Sequence, residues 1–272
     1  SEIADEVMAI KDAECQPPKL VAIQIGEHAS SAVYIKAQKK AAESLGIHYE
    51  LMTLPPDTSQ SALQRTIDGL NNNDAVTAII LQLPVPKLID ARKAIDHIRP
   101  DKDAEGMNTC NLGNLITADC VIGPCTVMAI MALLDSRKVE LRGKEAVIVG
   151  HSDIVGKPLA LLLVSRLATV TVCHIATSER GNLADHVKRA EILIVAVGKA
   201  GVIKGEWIRD GAVVIDVGIN RVGDKIVGDV EFDEAAKRAG MITPVPGGVG
   251  PLTTTMLMRN TVELYKRLKA AR

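Results

Sequence analysis

The chain has 272 residues, 47% hydrophobic and 24% charged, which suits two globular domains or one large one and excludes a disordered or fibrous chain. Its 32 basic and 33 acidic residues leave a net charge of −1 with no long run of one sign, which disfavours a general nucleic-acid or membrane-surface binder. Aromatic residues make up only 2% (Tyr34, Tyr49, Trp207, Phe232 and Tyr265), too few for base-stacking platforms and a sign of an aliphatic core.

Continuous apolar runs bounded by turn residues alternate with amphipathic stretches, the pattern of βαβ units around a parallel sheet. The first half predicts strands at Leu20–Ile25, Tyr49–Leu54 and Ala75–Gln82, with helices at Ser31–Leu45 and Ser59–Asn72, the second capped by Thr58 or Ser59. Residues Pro100–Gly123, rich in Asn, Gly and Asp, read as irregular backbone between two α/β halves and as a natural place for a site. A helix at Thr126–Leu134 leads into strands Ala146–Val149, Thr169–His174, Ile192–Val197 and Val213–Val217. A hairpin follows, Asn220–Val222 and Lys225–Val230 turning at Gly223-Asp224. Pro251–Arg272 reads as a helix returning over the first half on a mostly apolar face of Leu252, Met256, Arg259, Val262 and Leu264. The expected fold class is α/β with two packed domains and a cleft between them, the second a Rossmann-type doubly wound parallel sheet.

No segment approaches the ~18 consecutive apolar residues of a membrane span, and the polar start SEIADEV does not read as a signal peptide, so a soluble cytoplasmic protein is expected. The five cysteines, Cys15, Cys110, Cys120, Cys125 and Cys173, are odd in number, scattered and without a C-x-x-C pair; they read as reduced, buried residues, with no metal site.

The clearest local signal is EAVIVGHSDIVGKPLALLL at 145–163. A buried strand ends at Gly150 and a helix begins near Ile154 to Gly156, which puts backbone N–H groups and the positive helix end where a pyrophosphate can sit. The spacing from Gly150 to Gly156 is one residue longer than G-x-G-x-x-G, with Ser152 at the second glycine, so a plain strand-to-helix turn remains an alternative. At the end of the next strand, Thr171 to Thr177 offers neither an acid for the ribose hydroxyls of NAD nor an arginine for a 2′-phosphate.

Several segments together resemble the methylene-tetrahydrofolate dehydrogenase/cyclohydrolase family over nearly the whole chain. They are Ser30-Ser31-Ala32-Val33-Tyr34, Ile80-Leu81-Gln82-Leu83-Pro84, Pro100-Asp101-Lys102-Asp103 with Gly106, Asn111-Leu112-Gly113, Gly123-Pro124-Cys125-Thr126, the Gly150 turn, Asp216-Val217-Gly218-Ile219-Asn220, and Pro246-Gly247-Gly248-Val249-Gly250-Pro251 continuing to Asn260-Thr261. The resemblance implies a folate-binding catalytic domain over 1–123, completed by the helix 251–272, a cofactor domain over 124–250, and a homodimer formed through the latter. It implies hydride transfer from methylene-tetrahydrofolate to NADP or NAD, and in bifunctional members hydrolysis of methenyl- to formyl-tetrahydrofolate. Tyr34 would stack beside the flat substrate, Gln82 would orient a partner, and Leu83, Glu105, Pro246, Gly247, Gly248 and Val249 would complete the folate site. Gly150, His151, Ser152, Ile154, Val155, His174, Ile175, Gly198, Gly218, Ile219 and Thr253 would hold the cofactor.

Two departures bear on chemistry. Gln38 stands where the family has its catalytic lysine, four residues after the tyrosine, and an amide does not exchange protons at neutral pH. Neighbouring Lys36, Lys39 and Lys40 point about 100° or 200° away round the helix. Glu105 stands where the family has its folate-binding aspartate, longer by one methylene. A dehydrogenase with weak or absent cyclohydrolase activity is therefore expected, with a fully bifunctional enzyme or a catalytically silent folate or nucleotide binder as alternatives. His151 and Ile175 replace the arginine and serine common in NADP-preferring members, which tilts the cofactor expectation slightly toward NAD.

Overall fold

The computed structural model describes residues 2–14, 16–27, 29–117 and 120–270; Cys15 lies outside them. It separates into two compact units. One gathers the described residues within Ser1–Asn114, Cys120–Cys125 and Thr254–Arg272, the other those within Leu115–Asp119 and Thr126–Thr253.

The first unit runs α1 (Glu2–Glu14), β1 (Lys19–Ile25), α2 (Ala29–Leu45), β2 (His48–Leu54), α3 (Gln60–Asn71), β3 (Ala78–Leu81), α4 (Ala91–His97) and α5 (Thr109–Asn114). Its three strands pair in parallel in the order β2-β1-β3. The period-2 geometry of a strand divides each central run between two faces. Leu20 and Ala22 of β1 and Ala78 and Ile80 of β3 pack with Val7 and Ala42, while Val21, Ile23, Ile79 and Leu81 pack with Leu63 and Ile67 of α3 and Ile95 of α4. Both faces of β1 are covered, which is why it reads as an unbroken apolar run. β2, at the edge, is only partly buried. Ser59 caps α3, its hydroxyl accepting from the Ala62 N–H at 3.2 Å.

The second unit runs α6 (Cys125–Ser136), β4 (Glu145–Val149), α7 (Gly156–Ser165), β5 (Thr169–Cys173), α8 (Ile175–Glu179), α9 (Leu183–Arg189), β6 (Ile192–Val195), a 3-10 turn at Gly205–Trp207, β7 (Val213–Asp216), the hairpin β8 (Asn220–Val222) and β9 (Lys225–Val227), α10 (Phe232–Ala236) and β10 (Met241–Ile242). Its parallel sheet has the order β10-β7-β6-β4-β5, so the chain reverses direction across the sheet at β4, between β5 and β6. That is the topological switch point of a doubly wound sheet, and ligands of such sheets bind outside the carboxyl ends of the strands there. The core is aliphatic: among the described residues the buried apolar side chains include one ring, Tyr265.

α11 (Val249–Ala270) closes the chain, and from Thr254 onward it belongs to the first unit, where Leu257, Met258, Val262 and Leu264 join the core with β1 and β3. The expected face is shifted, because Leu257 and Met258 are buried while Arg259 is exposed. The helix also starts two residues earlier than predicted, so Val249 and Gly250 belong to its first turn and not to a loop. The segment Pro100–Gly123 is not wholly irregular, since it contains α5. Its loops are held by buried polar groups. The Asp103 carboxylate accepts from the N–H groups of Gly106 (3.1 Å) and Asn108 (2.7 Å) and from Asn111 Nδ2 (2.9 Å). Lys102 Nζ donates to the carbonyls of Leu70 and Asn73, and Asn260 Nδ2 of α11 to those of Ala104 (2.8 Å) and Gly123 (3.2 Å). No described helix is long and apolar enough to cross a membrane.

Candidate functional site

In the first unit, Tyr34 and Gln38 lie one turn apart on α2, and Gln82 follows directly on β3. Gln82 is fixed at both ends: its backbone N–H donates to the Ile23 carbonyl at 2.8 Å, and its side-chain Nε2 donates to Gln38 Oε1 at 2.8 Å. Gln38 Oε1 also accepts from the Tyr49 hydroxyl at 2.9 Å. Burial pushes the Tyr49 phenol up, which keeps it protonated as a donor. Gln38, only 9% exposed, is thus a doubly bonded acceptor in a buried polar cluster. Lys36, Lys39 and Lys40 all face solvent, and Lys39 lies 4.0 Å from Glu43. Tyr49 was not among the expected site residues. Its partnership follows from the placement of β2 beside α2, which local spacing does not encode.

Tyr34 is 45% exposed and Leu83 41%, so both present apolar surface to solvent. Glu105 is half-buried, and its carboxyl is pushed up to about 7 by desolvation and then by the charge of Asp103. Asp103 itself is raised by burial, against the lowering effect of its N–H donors. Cys125 is buried beside this pair, and burial, Glu105 and Asp103 together push its thiol well up, which makes it an inert packing residue.

In the second unit the loop after β4 lies at the switch point. Gly150 has φ 126°, and a Cβ there would stand 2.3 Å from the Ala196 carbonyl oxygen of the loop after β6. A Cβ at Gly156, the first residue of α7, would stand 2.0 Å from the Gly150 carbonyl oxygen. The two glycines let strand end, neighbouring loop and helix start close on one another, which is the role of the outer glycines in a dinucleotide turn. Ser152 makes the extra residue of spacing workable, because its hydroxyl accepts from the Val155 N–H (3.2 Å) and its carbonyl from the Lys157 N–H (3.0 Å). Ile154 is exposed and Val155 buried. His151 and His174, at the ends of β4 and β5, bring their rings to 5.4 Å between centroids, with Ile175 exposed beside them. Gly198 and Gly218 follow β6 and β7, and Ile219 is exposed.

Pro246 and Gly247 are exposed at the turn before α11, Gly248 packs its backbone against Thr243 and Pro244, Val249 is buried, and Thr253 Oγ1 donates to the Val249 carbonyl. A cavity of about 570 Å³ touches Gly247 and Gly248, with Leu134, Val214, Ile242 and Leu252 among its walls, but it does not reach the Gly150 turn. No group of three or more His, Cys, Asp or Glu placed to hold a metal occurs among the described residues.

A parallel α/β unit carrying a buried amide cluster and a second unit built on a doubly wound sheet, with a glycine-tight turn at its switch point, define a Rossmann-class two-unit protein. The model of the tetrahydrofolate dehydrogenase/cyclohydrolase catalytic domain matches residues 1–105, and that of the family's NAD(P)-binding domain matches residues 124–269. The chain is 48% identical over 268 residues to a protein of Moorella thermoacetica named bifunctional protein FolD, covering 98% of this chain and 94% of that one. A crystal structure of the bifunctional FolD methylenetetrahydrofolate dehydrogenase/cyclohydrolase of Campylobacter jejuni superposes with a TM-score of 0.94 at 38% identity, covering 98% of this chain and 94% of that one. The Trypanosoma brucei dehydrogenase-cyclohydrolase, solved with NADP and an inhibitor, gives 0.93 at 41% identity, with 98% and 93% covered. The chain belongs to the tetrahydrofolate dehydrogenase/cyclohydrolase family.

Proposed function

We propose that this protein oxidises methylene-tetrahydrofolate to methenyl-tetrahydrofolate with NAD or NADP, and that its cyclohydrolase step is weak or absent. Family membership and the glycine-tight turn support the first part, and the carrying observation for the second is Gln38, whose oxygen is occupied by Tyr49 and Gln82. The nicotinamide, when bound, supplies the hydride acceptor. The chain's part in that step is to position, and positioning needs no ionisable side chain at residue 38. Ring opening by water, in contrast, needs a proton taken from the attacking water and one delivered to the leaving nitrogen. A hydrogen-bonded amide does neither, and the surrounding lysines face away into solvent.

In this reading Tyr34 and Leu83 cover the substrate ring, and Glu105 meets the amino edge of the pterin. Pro246, Gly247, Gly248 and Val249 contribute backbone to the folate. Gly150, His151, Ser152, Ile154, Val155, His174, Ile175, Gly198, Gly218, Ile219 and Thr253 hold the dinucleotide. The Trypanosoma relative was solved with NADP. Here an imidazole and an exposed isoleucine, in place of an arginine and a serine, flank the position of a 2′-phosphate, so the balance tilts toward NAD. A homodimer paired through the dinucleotide unit and a cytoplasmic location complete the reading, checked by sizing and by cell fractionation.

The test follows both steps with purified protein: reduction of each cofactor by methylene-tetrahydrofolate, then loss of methenyl-tetrahydrofolate by its absorbance. Cofactor reduction with methenyl loss at the spontaneous rate is expected. Rapid enzyme-dependent loss would establish the bifunctional alternative, in keeping with the names of the relatives, and ligand binding without reduction of either cofactor would leave a silent binder.

A further inference from the structure

The loops after β6 and β7 are pinned by a carboxylate that no local motif announces. Asp229, fully buried between β9 and α10, accepts four hydrogen bonds. Its Oδ2 takes the N–H groups of Val197 (2.7 Å) and Gly198 (2.9 Å), and its Oδ1 takes that of Lys199 (2.9 Å) and Nδ2 of Asn220 (2.8 Å). Four donors fill the acceptor sites of one carboxylate. Three consecutive N–H groups with Gly198 at φ 69° form an anion-binding nest, and the protein fills it with its own side chain.

Asp229 is in turn fixed by Asp216 at the end of β7, whose Oδ1 accepts from the Gly218 (3.0 Å) and Asp229 (3.0 Å) N–H groups and whose Oδ2 accepts from Val230 (2.9 Å). Two glycines make room. A Cβ at Gly218 would lie 2.1 Å from Asp229 Oδ1, and one at Gly228 would lie 2.0 Å from Asp216 Oδ2. Burying two carboxylates is a poor way to gain stability, because an apolar filler avoids their desolvation cost. What the four donors on Asp229 share is location: they belong to the segments that leave β6 and β7 at the carboxyl ends, where a doubly wound sheet receives its ligand. Above the pinned backbone, the side chains of Val197 and Ile219 remain exposed.

We propose that Asp229 is a positioning residue for the dinucleotide: it sets the backbone of Val197–Lys199 and, through Asn220, of Gly218–Ile219 in the conformation that receives the cofactor. This rests on the dinucleotide reading of the second unit. Asp229→Asn places an NH2 group against at least one N–H donor, and Asn220→Ala removes one of the four ties from a half-buried position. Titration of NADH and NADPH by their fluorescence should show dissociation constants raised about tenfold or more for Asp229→Asn and roughly threefold for Asn220→Ala. The KM for methylene-tetrahydrofolate should stay within about threefold of wild type, since neither substitution touches the folate unit. Trp207, the only tryptophan of the chain, packs against the core of the second unit, and its emission reports whether that unit is folded. If Asp229→Asn does not fold, Asn220→Ala decides. Unchanged cofactor affinity in a folded variant would overturn the positioning role while leaving the dinucleotide reading intact. A wild-type protein that binds neither NADH nor NADPH would instead overturn that reading, and this role with it.

Discussion

Gln38→Lys restores the ionisable group that the buried amide cluster lacks. The cost to the fold can be bounded from the hydrogen bonds at Gln38 Oε1, one from Tyr49 and one from Gln82. Each contributes about 0.5–1.5 kcal/mol net, so outright loss of both would cost about 1–3 kcal/mol. The loss should be smaller, because the Gln82 amide can turn its oxygen toward an ammonium and the Tyr49 hydroxyl can accept as well as donate. A few degrees of melting temperature is therefore the largest change expected. The functional gain is larger: a positioned acid/base group contributes about 10²–10⁴-fold to a step limited by proton transfer. Methenyl-tetrahydrofolate is supplied directly, its absorbance is followed with wild type and variant, and cofactor reduction is measured in parallel. Gln38→Lys should hydrolyse methenyl-tetrahydrofolate at least about a hundredfold faster than wild type while dehydrogenase turnover changes little. A folded, dehydrogenase-active variant that hydrolyses no faster than wild type would refute the role assigned to residue 38.

Gly156→Ala forces a methyl group into a backbone carbonyl that lies 2.0 Å from the Cβ position, and neither helix start nor strand end can yield cheaply. A loss of about 1–3 kcal/mol together with loss of dinucleotide binding is expected, and a variant with normal melting and normal NADH affinity would contradict the tight-turn assignment. Tyr34→Ala removes a ring that is 45% exposed, so denaturation should shift by only about 0.5 kcal/mol while kcat/KM for methylene-tetrahydrofolate falls about tenfold or more; unchanged catalytic efficiency would dismiss the stacking role. Glu105 binds its proton more tightly folded than unfolded, because burial and then Asp103 push its carboxyl to about 7 from 4.5. The stability it carries is whole below about pH 4.5 and is lost as pH rises through about 7, with about 3 kcal/mol at stake. Glu105→Gln should flatten the pH dependence of denaturant melts over that window and be the more stable protein at pH 8. Equal slopes for the two proteins would disprove the shift.

Strands β1, β3, β4, β6 and β7 were legible because they are buried on two faces, and a run such as Leu20–Ile25 has no competing helical reading once turn residues bound it. Helices α1, α4, α5, α8, α9 and α10 went unread, since all but α1 are only five to seven residues long and carry little periodic signal. The two-residue strand β10 is shorter than any pattern can show. On α11 the face was misplaced because the buried set includes Asn260 and Thr261, polar residues chosen for their hydrogen bonds and not for apolar spacing. In the candidate site, Gln38 and Gln82 were recognisable by their place in motifs. Tyr49, which completes their cluster, was not, because its link to Gln38 crosses from a strand to a helix.

The same limit explains Asp229, and it separates two kinds of information in the chain. Apolar periodicity is local, repeats every two or nearly four residues, and specifies elements and layers. The groups that shape the loops act across gaps of a different size: Asp229 reaches back 30–32 residues to Val197–Lys199, and Asn260 reaches back 137 and 156 residues to Gly123 and Ala104. Each is a buried polar side chain whose removal leaves backbone groups unpaired, at about 1–3 kcal/mol apiece, but whose presence adds little to the hydrophobic core. A sequence that kept every apolar position and exchanged Asp103, Asp216, Asp229 and Asn260 would therefore still favour the same strands and helices. It would lose the fixed loops at their ends, which carry Glu105, Gly198, Gly218 and Ile219 of the candidate sites.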